Sequence, residues 1–281
     1  MSTARFLPLL VIIAALVSAC MPIQAQIVEL GPAGLRSDAP EYAKRGPYWV
    51  GYTPLVIGEG TGSQLDAGQW YPALNPSGEE EAITYEIALK MPELRSDMPP
   101  VVYGSALQGA PIDDSKGPYP LVVFSHGFGL NAASYHTLLE HYASHGFIVL
   151  APEHIEEDWF ESMTATVDRP LDIKQTLDFA EQLTAPDGKM AGQIDMENVA
   201  VVGHSYGGYT ALAVAGAQYD FDAFNTHCAE LAEDDPKTFL CMPLMGKEAD
   251  MAAYAGLDAA PEGLWPSFGD PRVTAILPMA G

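Results

Sequence analysis

An α/β architecture, a mostly parallel sheet flanked by helices, follows from three observations on this 281-residue chain. From Pro120 onward, short unbroken apolar runs alternate with longer stretches of helical periodicity. The runs Leu121–Phe124, Phe147–Ala151 and Val199–Val202 suit strands covered on both faces, as parallel strands are. The last of them passes through Gly203-His204-Ser205-Tyr206-Gly207 directly into small, helix-compatible residues. Strand, helix, strand, helix in that order means parallel βαβ units.

Residues 1–25 read as a targeting segment and stand apart from the fold. Arg5 supplies a positive start, and Phe6–Val17 is apolar but short for a membrane span. Val17-Ser18-Ala19-Cys20 resembles the lipobox of bacterial lipoproteins, in which the cysteine carries the lipid; ordinary cleavage near Ala25 is the alternative. An exported protein is expected either way: secreted, periplasmic, or held at a membrane through Cys20. Residues 26–281 form the folded domain. Its first part, to residue 80, is rich in Gly, Pro and turn signals. Residues 46–51 and 69–73 are strand pieces, and Glu79-Glu80-Glu81 reads as a solvated turn. Residues 83–89 alternate apolar and polar, as in a half-buried strand. Residues 91–118 read as connection.

Beyond Leu121–Phe124, residues 132–144 predict an amphipathic helix that Gly146 stops. Phe147–Ala151 is the next strand, ending in Pro152-Glu153-His154. Residues 155–170 read as loop, and Asp172–Leu183 as a helix with Ile173, Leu177, Ala180 and Leu183 on one face. The helix after the serine runs over Tyr209–Ala217. Residues 218–271 break the rhythm and predict an insertion or cap above the C-terminal edge of the sheet, where such sheets bind ligands. Arg272–Met279 is the final strand. With Cys20 lipidated, Cys228 and Cys241 remain as a disulfide candidate in an oxidising compartment; two buried thiols are the alternative.

The chemistry centres on Ser205. A serine that attacks an acyl carbon must stand at the apex of a tight strand-to-helix turn, with glycines where the turn packs too closely for a Cβ. Oxyanion donors are at hand in two backbone amides, those of Tyr206 and Phe128. The first opens a helix. The second lies in Ser125-His126-Gly127-Phe128-Gly129, a loop of the His-Gly type that follows the neighbouring strand. Phe128, His204 and Tyr206 are expected to touch substrate. His126 is expected to fix its own loop, while His136, His141 and His145 read as packing or surface residues. His154 lies near the site but precedes the serine. In this architecture the helpers come after it, acid and then histidine. His227 is the sole histidine after Ser205 and lies in the insertion, too early for the base. The acid and base are therefore expected beyond Gly281, the chain stopping before its last strands.

Four segments carry a family resemblance: Gly117 to Gly129, Ala151-Pro152-Glu153-His154, Arg169-Pro170-Leu171-Asp172-Ile173 and Gly203 to Gly208. Together they resemble the bacterial homologues of platelet-activating factor acetylhydrolase. They are also similar to dienelactone-hydrolase-like and polyester-hydrolase-like proteins. The resemblance spans about residues 46–281 and implies an α/β-hydrolase fold. It also implies carboxylic ester hydrolysis with Ser205 as nucleophile and short-acyl esters as substrates, phospholipids resembling platelet-activating factor among them. Polyester or dienelactone substrates are the alternative, as is a catalytically inactive binding protein. No metal or organic cofactor is called for. With 37 Asp+Glu against 13 Lys+Arg and a formal charge of -24, nucleic acid is excluded as a partner, and anionic substrates gain no long-range attraction.

Overall fold

A computed structural model of the chain describes residues 40–87, 100–155, 163–232, 234–235 and 237–280. The expected targeting segment, with Cys20 and Ala25, lies outside the described residues. The chain divides into two compact units, Met1–Lys44 and Arg45–Gly281. In the first, the described residues hold one 3-10 turn, Glu41–Ala43. The second holds every strand described.

Nine strands and six α-helices are described there. β1 (Trp49–Ile57) and β2 (Leu65–Ala73) form an antiparallel hairpin. β3 (Ile83–Glu86) pairs with β4 (Val101–Gly104) as a separate ribbon, followed by the short β5 (Leu107–Gln108). Then come β6 (Tyr119–Ser125), α1 (His136–Ser144), β7 (Ile148–Pro152) and α2 (Met163–Thr184). β8 (Ile194–His204) leads into α3 (Tyr206–Val214). After α4 (Phe221–Glu230), α5 (Thr238–Cys241) and α6 (Glu248–Tyr254), β9 (Ala275–Met279) closes the described chain. The main sheet has the order β5-β1-β2-β7-β6-β8-β9. From β7 to β9 it is parallel, with the β1–β2 hairpin joined antiparallel at one side.

Side chains of a strand alternate between faces, and here both faces are covered, which explains the unbroken apolar runs. Leu121, Val123, Leu150 and Val201 pack with Ile173, Leu177 and Ala180 of α2 and Ala211 and Val214 of α3. On the other face, Val122, Phe124, Val149 and Val202 pack with Leu139 and Ala143 of α1. Consequently β6 and β8 are neighbours whose following helices lie on opposite faces of the sheet. That is a topological switch point, where the C-terminal ends of two strands leave a crevice.

The structure extends or corrects several sequence expectations. The expected connection 91–118 holds β4 and β5, and the strand expected over 83–89 belongs to the ribbon rather than to the main sheet. Glu81 is not solvated: it accepts from Arg45 at 2.6 Å and from the Val50 amide at 2.8 Å. The ribbon is held to the domain by Tyr85, whose hydroxyl accepts from Trp70 Nε1 and donates to the buried Glu140. β9 starts at Ala275, because Arg272 is drawn aside into bonds with Asp270 and Asp178.

The largest correction is α2. It begins at Met163, within the expected loop, and runs through Pro170. A proline inside a helix lacks the N–H that would reach the carbonyl four residues back. That carbonyl belongs to the buried Thr166, and the Tyr209 hydroxyl of α3 donates to it at 2.6 Å. A tertiary hydrogen bond thus replaces the missing helical one, and local sequence rules could not reveal it. The insertion packs on this same half of α2. Phe221, Leu244, Met251 and Trp265 form a small core with Val167, and Cys228 and Cys241 are joined as a disulfide between α4 and α5.

Replacing Tyr209 by Phe removes the donor and leaves a buried carbonyl unsatisfied. We expect a loss of about 1–3 kcal/mol in stability, read from the urea midpoint at an unchanged slope. An unchanged midpoint would mean that another group satisfies Thr166.

Candidate active site

The turn from β8 to α3 is forced by contact. Ser205 has φ 54 and ψ -120, a conformation that a non-glycine residue adopts only when its surroundings impose it. A Cβ on Gly203 would stand 1.9 Å from the Gly207 carbonyl oxygen, and one on Gly207 would stand 2.0 Å from that of Ser125. Both glycines are therefore required by backbone crossing, the first turn of α3 lying directly against the end of β6. The Ser205 amide donates to the Met279 carbonyl at 2.8 Å, tying the elbow to β9 as well. The Ser205 side chain is exposed, and among the described residues its hydroxyl has no hydrogen-bond partner.

Beside it lies the loop that follows β6. In the sheet register Ser125 is opposite Gly203, which places Gly127 and Phe128 next to the elbow. The rings of Phe128 and Tyr206 meet edge-on at 5.6 Å. The Gly127 amide donates to the Tyr135 hydroxyl at 3.1 Å, and Tyr135 shares a hydrogen bond with His204 Nδ1 at 2.8 Å. His204, expected to touch substrate, thus spends a ring nitrogen on joining the loop to the elbow strand. His126 fixes its own loop. Its Nδ1–H donates to the Gly127 carbonyl at 2.8 Å, and its Nε2 accepts from the His154 amide at 3.1 Å.

Behind this loop is an arrangement that the sequence reading did not foresee. Buried Ser125 Oγ is 2.9 Å from His154 Nε2, and His154 Nδ1 is 2.7 Å from Asp172 Oδ2. Arg169, also fully buried, donates to the His126 carbonyl at 2.6 Å and approaches Ser125 Oγ at 3.4 Å. Its guanidinium carbon stands 5.0 Å from the centre of the Tyr206 ring. With Asp172 ionised, the chain has one direction: Arg169 donates to Ser125, Ser125 to His154, and His154 to Asp172. It has the makeup of a Ser-His-Asp triad, but its serine is sealed from solvent.

Parts of the chain are similar to known proteins. A chlorophyllase family model matches residues 95–232, which include β6, its loop and the elbow. Chlorophyllase-1 of Citrus unshiu is 35% identical over 108 residues, 38% of this chain and 32% of that protein. Platelet-activating factor acetylhydrolase of Cavia porcellus is 27% identical over 220 residues, 59% of this chain and 50% of that protein. The chain thus spans about a third to a half of the length of these relatives. A ferulic acid esterase from Streptomyces cinnamoneus overlays with a TM-score of 0.46 and 28% identity, covering 62% of this chain and 56% of that one.

The chain has the α/β-hydrolase fold. The sheet order, the elbow after β8 and the loop after β6 are that fold's framework. Chlorophyllase likeness was not among the resemblances drawn from the sequence, whereas the acetylhydrolase likeness was. Within this fold, His227 is exposed on α4 and is not hydrogen-bonded to Ser205. His136 lies against the Tyr85 ring, and His141 and His145 lie ring to ring near the end of α1. Ser125, Arg169 and Asp172 are what the sequence reading missed. Arg169 and Asp172 stand in one of the segments that carry the family resemblance and Ser125 in another, but a loop over residues 155–170 offers no helix face on which to align them.

Burial pushes the Asp172 carboxyl up to about 7, against the pull of the Arg169 guanidinium. A carboxyl raised in the folded state adds stability below its unfolded value of 3.8 and loses it as pH rises through about 7. The chain is strongly acidic, so general self-repulsion has the same sign, and only a comparison isolates this group. Between pH 4 and 8, Asp172→Asn should lose less stability than the parent, by about 1–3 kcal/mol. Denaturant midpoints across that window check this, and parallel profiles would contradict it.

Proposed function

We propose that the protein is a serine-dependent carboxylic ester hydrolase acting on small-molecule esters. The observation that carries this reading is the strained, exposed Ser205 held between two glycines that no other residue could replace. An ester enters with its carbonyl carbon at Ser205 Oγ and its carbonyl oxygen towards the amides of Tyr206 and Phe128. As Oγ attacks, negative charge develops on that oxygen, and the two amides with the N-terminal end of α3 stabilise it. The alcohol leaves, an acyl-serine remains, and water hydrolyses it. The serine proton passes to a base that we assign to none of the described residues.

The likeness to an acetylhydrolase favours a short acyl group. A formal charge of -24 favours a neutral or zwitterionic substrate over an anionic one. Phospholipids resembling platelet-activating factor meet both conditions. Export, with a lipid on Cys20, is part of the same proposal and would bring the enzyme to a membrane surface. The insertion over residues 218–271 is proposed as the cap beside the acyl group. One observation favours a second reading, an ester-binding protein without turnover: Ser205 Oγ has no hydrogen-bond partner among the described residues.

A fluorophosphonate should add once, to Ser205, as read by intact mass and peptide mapping, and Ser205→Ala should abolish the adduct without lowering the Tm. Turnover of p-nitrophenyl acetate should fall by at least ~100-fold in that variant. An acyl burst that survives the substitution would overturn the role of Ser205. Labelling without turnover of any ester in an acyl-length series would favour the binding protein.

A further inference from the structure

We infer that Arg169 is the positioning residue of the ester-cleaving site: its guanidinium holds the oxyanion loop and the elbow helix at the separation their two amides need to share one oxygen. The inference rests on the proposed role of Ser205.

Burying a guanidinium costs several kcal/mol unless its partners repay it, and an apolar side chain of similar volume would satisfy packing alone. Arg169 is completely buried all the same. Its contacts converge on the two segments that flank the reacting oxygen. Nη1 donates to the His126 carbonyl, two residues before Phe128, and the guanidinium lies over the ring of Tyr206. The residues one helical turn to either side work on the same two segments. Thr166 Oγ1 shares a 2.7 Å hydrogen bond with the Tyr206 hydroxyl. Asp172 holds His154, which holds Ser125 at the root of the loop. Thr166, Arg169 and Asp172 are spaced at i, i+3 and so share a face of α2. That face clamps the loop and the elbow from one side, and the Phe128–Tyr206 ring contact closes the set.

Two donors must stand within hydrogen-bond reach of a single developing oxygen, so a small change in their separation matters more than a small change in either alone. Lysine cannot substitute. It offers a point charge without the planar fork that serves a carbonyl while stacking on a ring.

The test compares Arg169→Lys and Arg169→Met with the full-length parent. Per folded molecule, the rate of Ser205 phosphonylation and the kcat for p-nitrophenyl acetate should fall by ~10–100-fold, with KM within about twofold. The Phe128 and Tyr206 amide resonances should shift together in both variants. Rates within about threefold of the parent, with those amides unmoved and only the Tm lowered, would overturn the inference and leave Arg169 a packing residue. Should Arg169→Met fail to fold, Arg169→Lys decides on the same readouts. A parent that a fluorophosphonate does not label at Ser205 defeats the ester-cleavage reading instead. The joint movement of the two amides, or its absence, still decides whether Arg169 ties the segments together.

Discussion

The structure depends on one steric constraint: the first turn of α3 crosses the end of β6 at backbone contact. Gly207 lies where any Cβ would strike the Ser125 carbonyl, and Gly203 lies where one would strike Gly207. This crossing turns the chain so sharply that Ser205 takes a positive φ. It also brings the loop after β6 and the helix after β8 side by side, although their helices cover opposite faces of the sheet. A looser packing would relax the serine and separate the two amides proposed to stabilise the oxyanion. The strain at Ser205 and the reach of the site are consequences of the same contact.

Such a crossing leaves little room for water and creates polar groups that need partners. The carbonyls of His126 and Gly127 point into protein and are satisfied by Arg169 and His126. The Gly127 amide is satisfied by Tyr135, and Ser125 by His154. Each bond is ordinary in strength, yet leaving any one unmade in a buried site would cost about 1–3 kcal/mol. The buried Ser125–His154–Asp172 chain is best understood in this light. It completes the hydrogen bonding beneath a loop that cannot be packed with apolar groups, because the loop's backbone must turn towards Ser205.

How much of this was legible in the sequence depended on the range of the cause. The strands from β6 to β8 were legible because burial on both faces writes continuous apolar runs, and the elbow because its glycines and serine lie within five positions. Gly146, which stops α1, has a φ of 92, the conformation that makes glycine a helix stop. Less was visible where a distant partner decides the outcome. Residues 163–170 look like loop because Pro170 and a polar composition argue against a helix, and only Tyr209, from another helix, repairs the broken bond. Glu81 looks solvated until Arg45 and the start of β1 fold onto it. The Arg169 face of α2 could not be aligned until that helix was known to exist. Composition spoke to partners and substrates, but not to these contacts.

α2 also ties the site to the insertion. Its first half presents two faces with different tasks. Val167, with Met163 beside it, enters the small core of the insertion, and Asp168 accepts from Tyr254 of α6 at 2.7 Å. Thr166, Arg169 and Asp172 turn towards the loop and the elbow. The disulfide between Cys228 and Cys241 closes a short loop within the insertion, restricting its unfolded states by an amount worth about 2–3 kcal/mol. The two cysteines stand 13 positions apart, and the core that meets α2 is formed by residues to either side of them, Phe221 before and Leu244, Met251 and Trp265 after. Pro170 adds to the argument. Where a helix lacks an internal bond, its position is set by what packs on it, here Tyr209 on one side and the insertion core on the other. The register of Arg169 over Tyr206 is thus fixed from outside the site, by the same insertion that is proposed to cover the acyl group.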